Sequence, residues 1–224
     1  MAPRLSIVVP VLNEAAGIRE ALAALAPLRA RGHEVIVVDG GSTDGTVDLA
    51  APLCDQVVRA PCGRALQMNA GARVARGEAL VFLHADTRLP LDADGVIGAA
   101  LGEAHWGRFD VRIASERALL ALVARAMNLR SRLSGIATGD QAIFVRRDAF
   151  PGFPEIPLME DIAFSRLMKR RGRPACLRER VTTSARRWEA RGVVRTIVLM
   201  WRLRLLYALG IAPQRLAREY ADQR

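Results

Sequence analysis

The sequence predicts an α/β fold, a mainly parallel Rossmann-like sheet flanked by helices. Short apolar runs rich in β-branched residues recur through the first half of the chain, and segments with helical spacing separate them. The chain has 224 residues, of which 51% are hydrophobic and 25% charged, the composition of an ordinary globular domain. A chain of this length buries on the order of 70% of the surface it exposes when unfolded.

Leu5-Ser6-Ile7-Val8-Val9-Pro10 reads as a buried strand stopped by proline. Asn13 can cap the next segment and Glu14 suits a first helical turn. Ile18, Ala21, Leu22 and Leu25 continue at helical spacing until Arg31-Gly32-His33 ends the helix. Residues 34–38 form a second strand ending at Asp39, and Ser42-Thr43-Asp44 starts a helix running to about Leu53. Residues 57–59 give a third strand, 63–75 a third helix after a turn, and 79–83 a fourth strand followed directly by His84-Ala85-Asp86. Strands alternating with helices in this way build right-handed βαβ units. Ligands of such sheets lie beyond the carboxyl ends of the strands, where Asn13, Asp39 and Asp86 are expected. The second half is less regular, with helices at 91–101, 116–133 and 160–171, an edge or antiparallel strand at 107–113 and a short strand at 142–145. No repeat or low-complexity linker interrupts the chain, so 1–224 is read as one domain.

The net charge is +10, from 33 basic and 23 acidic residues, and Lys169 is the only lysine. So much arginine suits a phosphorylated ligand, nucleic acid or an anionic membrane, and it equally fits a compositional bias toward arginine and alanine. Gly40 and Gly45 have the glycine spacing of a P-loop, but Thr46 stands where its lysine must be, which excludes a Walker-type clamp. The G-x-G-x-x-G fingerprint is absent, which weakens a dinucleotide reading. Cys54, Cys62 and Cys176 form no C-x-x-C pair, arguing against a zinc ribbon and a secreted disulfide framework. The first ten residues lack the apolar core of a signal peptide, so a cytoplasmic protein is expected. A basic RNA-binding protein would explain the charge, but aromatic residues are only 5% and no RNP motif is present, so nucleic acid is not an expected partner.

The densest polar signal is Asp39-Gly40-Gly41-Ser42-Thr43-Asp44-Gly45-Thr46. A carboxylate ending a parallel strand, followed by glycines, can accept from a ribose or base while the ligand packs on the backbone. The same residues also suit a tight strand-to-helix turn capped by Asp44. Asp86 ends an apolar strand, where it can hold a divalent cation shared with diphosphate oxygens or cap the turn through Thr87, Arg88 and Pro90. His84 falls on the same side if the strand stays extended, either as a second ligand or as a hydrogen-bonded histidine. Glu160-Asp161 opens a helix, where a carboxylate caps free N–H groups or, facing an acceptor hydroxyl, serves as a general base. Arg64 and Arg186-Arg187-Trp188 are candidate diphosphate clamps or solvated surface arginines.

Taken together, these segments resemble the family 2 glycosyltransferases of the GT-A fold, from about residue 4 to residue 190. Residues 6–14, from Ser6 to Glu14, are similar to the family's first nucleotide-contacting loop, which implies contacts from Pro10, Leu12, Asn13 and Glu14. Residues 34–46 are similar to the second, whose aspartate, here Asp39 with Gly40, Gly41 and Ser42, contacts the nucleoside. Gly63-Arg64-Ala65-Leu66-Gln67-Met68-Asn69-Ala70-Gly71 is similar to the third, implying Arg64 near the phosphates or base and Asn69 in the same loop. Phe82-Leu83-His84-Ala85-Asp86-Thr87 resembles the D-x-D region in an H-x-D form, which implies Ala85 and Asp86 at the donor and Asp86 with His84 at a metal. Met159-Glu160-Asp161 resembles the E-D motif, with Asp161 as base beside Glu160. Ser184-Ala185-Arg186-Arg187-Trp188 resembles Q-x-x-R-W with serine replacing the glutamine, implying Arg187 and Trp188 at the donor.

The resemblance implies a nucleotide-binding half over 1–90, an acceptor half over 91–190 and a C-terminal helical segment over 191–224. It implies inverting transfer of one sugar from a nucleoside-diphosphate sugar to a hydroxyl acceptor, lipid-linked or small. Mg²⁺ or Mn²⁺ would neutralise the departing diphosphate, with fixed positive charge from Arg64 and Arg187. The H-A-D-T variant in a short chain resembles a small bacterial subgroup. Processive synthases of the family carry the full Q-x-x-R-W motif and several transmembrane helices, so single-sugar transfer is expected here. A nucleotidyltransferase-like sugar-nucleotide enzyme is the rival on a similar sheet, and the missing glycine- and lysine-rich phosphate loop counts against it.

Residues 193–211 (VVRTIVLMWRLRLLYALGI) are the most apolar stretch, interrupted by Arg195, Arg202 and Arg204. Each arginine costs roughly 2.5–3.5 kcal/mol at the centre of a membrane-spanning helix. On a helix, Val194, Ile197, Val198, Trp201, Leu205 and Leu209 share one broad face, and Arg191, Arg195 and Arg202 fall on another. This amphipathic helix is expected to pack on the domain's own core, or to lie in the membrane interface with its arginines on anionic headgroups. The second arrangement would hold the protein peripherally at the inner face of the cell membrane.

Overall fold

The computed structural model describes residues 4–221, apart from the side chains of Arg187 and Arg191. Eight strands form one sheet: β1 (Leu5–Val11), β2 (Glu34–Asp39), β3 (Gln56–Arg59), β4 (Ala79–Phe82), β5 (Thr87–Arg88), β6 (Trp106–Ala114), β7 (Ile143–Arg146) and β8 (Ala175–Ser184). Their order across the sheet is β3-β2-β1-β4-β7-β6-β8-β5. The helices are α1 (Ile18–Ala23), α2 (Ala26–Ala30), α3 (Thr46–Ala50), α4 (Arg64–Val74), α5 (Ala93–Glu103), α6 (Ala118–Ser134), α7 (Glu160–Met168), α8 (Arg186–Arg191), α9 (Val193–Ala208) and α10 (Pro213–Ala221).

Strands β1 to β4 pair in parallel, whereas β7 runs antiparallel to both β4 and β6. β8 is parallel to β6 and antiparallel to β5. The mainly parallel character expected from the sequence therefore holds for the first half, and the sheet as a whole is mixed. Successive side chains of a strand face opposite sides. Leu5, Ile7, Val9 and Val11 accordingly pack with Ile18, Leu22 and Leu28 on one face, and Val8, Ile36 and Val38 pack with Ala65 and Met68 on the other. Burial on both faces is why β1 and β2 read as continuous apolar runs rather than alternating ones.

The anticipated helix of 13–31 is two short helices, α1 and α2. Pro27 lies in the first turn of α2, where its missing N–H is tolerated but cannot continue a helix from α1. The helix expected from residues 42–44 begins only at Thr46. Asp44 instead accepts from the backbone N–H groups of Thr46 (3.1 Å) and Ala15 (3.0 Å), and so ties two loops together. Of the two readings of the alternating segment at 107–113, the antiparallel one holds and the edge one does not: β6 runs antiparallel to β7 and lies between β7 and β8, with Trp106, Arg108 and Phe109 buried. β8 has no counterpart among the expected elements, because Arg178, Glu179 and Arg180 are exposed at its middle and break the apolar pattern.

Helix α9 packs on the domain, but not by the face the sequence suggested. Val193, Thr196, Leu199 and Leu203 are its buried residues. Val194 (65%), Val198 (60%), Trp201 (71%), Leu205 (61%) and Leu209 (71%) remain exposed on the opposite side. A helix with apolar residues on both faces cannot be oriented by periodicity alone.

Helix α4 approaches the sheet closely at Gly71, where a Cβ atom would lie 2.4 Å from Val8 Cγ1 and 2.9 Å from Val38 Cγ2. Gly71→Ala is expected to lower the unfolding free energy by about 1–3 kcal/mol, the usual cost of overpacking. Gly102→Ala, in α5 with open space around it, is expected to be neutral or to stabilise by about 0.5–1 kcal/mol. Urea unfolding midpoints of the two variants measure the difference, and equal midpoints would contradict the packing described.

Candidate functional site

The site forms along the carboxyl ends of β1, β2, β3 and β4. Asp39, the last residue of β2, is buried, and its carboxylate accepts from the N–H groups of Gly41 (3.1 Å) and Ser42 (3.1 Å). Gly41 sustains the turn at φ +99°. Asn13 and this loop bind reciprocally: Asn13 N–H donates to Ser42 Oγ and Thr43 N–H donates to Asn13 Oδ1, both at 2.9 Å. Glu14 N–H donates to Thr46 Oγ1 at 2.9 Å. Asn13 thus joins two loops instead of capping a helix; the residue preceding α1 is Gly17. Beside these loops opens a cleft of about 540 Å³ lined by Asp39, Gly41, Ser42, Thr43, Arg59 and Ala60. Leu12 is exposed and Pro10 half-buried near the end of β1, while Gly40 lies beneath the Gln67 side chain.

A second cleft, of about 380 Å³, includes Gly17, Glu20, Ala85, Asp86, Arg88 and Arg186 in its walls. Asp86 Oδ1 is 3.3 Å from Thr87 Oγ1, and Arg186 reaches to 3.8 Å from the Glu14 carboxylate. His84 turns elsewhere: its Nδ1 is 3.3 Å from Asp140 Oδ1, and Gly139 lies against its ring, where a Cβ would be 2.5 Å from Nε2. The expected pairing of His84 with Asp86 on one metal is therefore not formed. Among the described residues no three His, Cys, Asp or Glu side chains converge to hold a metal ion. The donor set fits a cation whose remaining ligands are diphosphate oxygens and water, held by one carboxylate, Asp86.

The third group surrounds the start of α7. Met159, just before the helix, has φ +68°, an uncommon conformation for a residue other than glycine. Glu160 is buried and ion-paired with Arg64 Nε at 3.0 Å. Burial pushes the Glu160 carboxyl above its usual range, against the pull of Arg64. Burial works against the Arg64 charge in turn, but Glu160, Asp161 and Asp140 outweigh it and raise its pKa. Asp161 is half-buried and accepts from Gly139 N–H (3.1 Å) and Ile162 N–H (2.7 Å), one on each oxygen. Met68, Phe82, His84, Gly139, Glu160 and Asp161 line a small shared pocket.

Two expected donor contacts have other partners. Asn69 donates to Phe153 O (2.9 Å) and accepts from Phe153 N–H (2.7 Å), so both ends of its amide fix the 150s loop rather than a ligand. Trp188 packs against the main core, an apolar ring covering apolar neighbours. The Arg187 side chain lies outside the described residues. Sequence reasoning passed over Arg59, Gln67, Gly139 and Asp140. Arg59 closes a strand at the same edge as Asp39, and Thr138-Gly139-Asp140-Gln141 is a polar, glycine-bearing run just before a strand; both were available as signals.

Residues 6–105 match glycosyl transferase family 2. A PGL/p-HBAD biosynthesis glycosyltransferase of Mycobacterium bovis (strain BCG / Pasteur 1173P2) is 36% identical over 111 residues, covering 46% of this chain and 43% of that protein. The match thus spans less than half the length of such curated relatives. TarS of S. aureus, solved with UDP-GlcNAc, superposes with a TM-score of 0.67 at 20% identity over 81% of this chain and 58% of that one. A mannosyltransferase of Pyrobaculum calidifontis, solved with GDP-Man and Mn²⁺, gives 0.62 at 23% identity over 81% and 57%. Glucosyl-3-phosphoglycerate synthase of Mycobacterium tuberculosis, solved with Mn²⁺, UDP and phosphoglyceric acid, gives 0.57 at 18% identity over 81% and 69%. At these identities the structural likenesses speak to the fold. The sequence match covers the strand-end loops of the first half and the GT-A fold is shared beyond it, so over residues 6–105 the chain is similar to family 2 glycosyltransferases.

Proposed function

We propose that this protein is an inverting glycosyltransferase that moves a single sugar from a nucleoside-diphosphate sugar to an acceptor hydroxyl. The observation that carries the reading is the pairing at one sheet edge of a cleft headed by Asp39 with the Asp161 carboxylate at the start of α7. Relatives named as glycosyltransferases, and neighbours solved with UDP-GlcNAc, GDP-Man or UDP, support a nucleotide-sugar donor.

Asp39 keeps acceptor capacity beyond its two backbone donors and can take a hydrogen bond from the nucleoside. Asp161 likewise uses one lone pair on each oxygen for backbone N–H groups, which orient it, and has others for a substrate proton. The acceptor oxygen attacks the anomeric carbon as its proton passes to Asp161. The bond from that carbon to the diphosphate oxygen breaks, and the nucleoside diphosphate leaves with the electron pair. One displacement inverts the anomeric centre and requires no enzyme nucleophile. Glu160, at the wall of the same pocket, is ion-paired with Arg64 and acts by holding that cation in place. Asp86, beside the Thr87 hydroxyl, is the residue that would hold Mg²⁺ or Mn²⁺. The chemistry such an ion supplies is neutralisation of charge on the leaving diphosphate. Neighbours solved with Mn²⁺ support this assignment.

Among the described residues no helix is long and apolar enough to cross a membrane. The outer face of α9 nonetheless carries the exposed row Val194, Val198, Trp201, Leu205 and Leu209, with exposed Arg195 and Arg202 on its flank. An exposed apolar row edged by arginine fits the interface of an anionic bilayer. This proposal places the protein at the inner face of the cell membrane.

Asp161→Asn keeps the shape of the side chain but cannot take the proton. We expect kcat to fall by at least ~10²-fold with nucleotide affinity kept; an unchanged kcat with reduced thermal stability would leave Asp161 as a helix cap only. Asp86→Ala is expected to abolish the Mn²⁺-dependent part of nucleotide binding in calorimetric titrations, and identical titrations with and without Mn²⁺ in both proteins would remove the metal assignment. For the membrane contact, the protein is expected to float with vesicles containing phosphatidylglycerol but not with phosphatidylcholine alone. The double substitution Trp201→Ser, Leu205→Ser should abolish flotation without unfolding the chain. Wild-type protein that floats with neither vesicle would make the row an ordinary surface.

A further inference from the structure

Two arginines near Asp161 have no part in the reading above. Arg130 lies on α6, five residues before the Gly135 cap and shortly before the turn whose Gly139 N–H binds Asp161. Arg204 lies on α9, next to Leu203, which is wholly buried. Leu199 and Leu203 pack with Leu158, Met159 and Ile162, the segment that carries Glu160 and Asp161, and Ile136 joins the same cluster. Helices α6 and α9 therefore bring both guanidinium groups to the side of Asp161 formed by the second half of the chain.

Arg130 is set apart by what it lacks. Nε and Nη2 of Arg130 are buried and have no hydrogen-bond partner among the described residues. A guanidinium has only donors, so it can be satisfied in such a place only by an acceptor brought from outside. Arg108, whose Nε also lacks a partner, differs in having the Asp110 carboxylate as its ion-pair partner. Arg64 has Glu160. Neither Arg130 nor Arg204 forms an ion pair among the described residues. Burial and the neighbouring Arg204 push the Arg130 pKa down to about 10, and burial lowers that of Arg204. The carboxylates that act most on both are Asp161 and Asp140, which belong to the base side of the site rather than to the Asp39 cleft.

We infer that Arg130 and Arg204 form a phosphate-binding subsite beside Asp161, and that the acceptor sugar-receiving molecule carries a phosphate group there. A phosphate dianion would supply the acceptors that the Arg130 guanidinium lacks and offset the charge of Arg204. The inference rests on the glycosyltransferase reading only in calling the occupant an acceptor; the subsite itself stands on the two arginines.

The probe is inorganic phosphate, titrated calorimetrically into the full chain alone and into the chain saturated with UDP or GDP and Mn²⁺. Phosphate is expected to bind equally in both states. Arg130→Gln and Arg204→Gln are each expected to weaken phosphate about tenfold or more, the loss of a charge-assisted hydrogen bond. Nucleotide affinity should stay within about twofold of wild type, since the arginines belong to the Asp161 side and not to the Asp39 cleft. Arg204→Gln alters a half-buried position and keeps the test alive if Arg130→Gln does not fold. Displacement of phosphate by the nucleotide would assign the arginines to the donor diphosphate and overturn the proposal. So would phosphate binding that neither substitution changes, or no binding to the wild type. A chain that binds phosphate but neither nucleotide would instead contradict the donor reading and leave the subsite intact. Competition by phosphatidic acid in phosphatidylcholine vesicles against glycerol 3-phosphate identifies a lipid or a soluble source by the tighter competitor, and failure of both to displace phosphate overturns the subsite.

Discussion

The Gln67 side-chain amide holds the sheet edge on which everything else is arranged. Its Nε2 donates to the carbonyls of Val11 and Val38, each at 2.8 Å, from a buried position on α4. β1 and β2 are thereby made to end at the same level, and α4 is fixed above their junction. Gly40 passes through the gap, where a Cβ would sit 3.0 Å from Gln67 Nε2, and its own N–H donates to Val11 O. From that point Asp39 can fold back on Gly41 and Ser42, and Asn13 can bind Ser42 and Thr43. Remove the amide and Val38 O loses this donor while Val11 O keeps only the Gly40 N–H, a cost of roughly 1–3 kcal/mol for a carbonyl left unsatisfied.

The strands that build this edge were legible because they are buried on both faces, and such strands need unbroken apolar runs. Asp39, Asp86 and the Glu160–Asp161 pair were legible for the same reason: a carboxylate directly after an apolar run, or at a helix start, stands out from its surroundings. The misread elements share an opposite property. β8 carries three exposed charged residues at its centre, and α9 is apolar on both sides. Neither has the one-sided pattern on which periodicity depends. The split of the first helix was legible in principle, since Pro27 marks it.

Polar residues divide less cleanly, because a side chain that satisfies the fold and one that awaits a ligand have the same chemistry. Asn69 falls in a loop similar to a nucleotide-contacting one, yet Phe153 occupies both ends of its amide. His84 aligns with a metal-binding position, yet it faces Asp140. Arg130 drew no notice in the sequence, as one arginine of many on a helix, and its character comes only from burial without a partner. The decisive quantity in each case is a partner count, which depends on contacts between residues far apart in the chain.

Backbone strain follows the same boundary. Among the described residues three non-glycine positions have positive φ: Asn13 (55°), Ala142 (46°) and Met159 (68°). Asn13 lies just past β1 in the loop bound to Ser42 and Thr43, Ala142 follows the turn that carries Gly139 and Asp140, and Met159 precedes Glu160. Asparagine tolerates this region, but alanine and methionine hold it at a cost of about 1–3 kcal/mol each. Against a total stability of about 5–15 kcal/mol that is a large charge on a few residues. It persists because packing over-determines the joints: Met159 and Leu158 are buried with Leu199 and Leu203 of α9, and Ala142 is wholly buried. Helix α9 therefore does more than cover the domain. By packing on the strained turn before α7, it ties contacts on α9 to the orientation of Asp161.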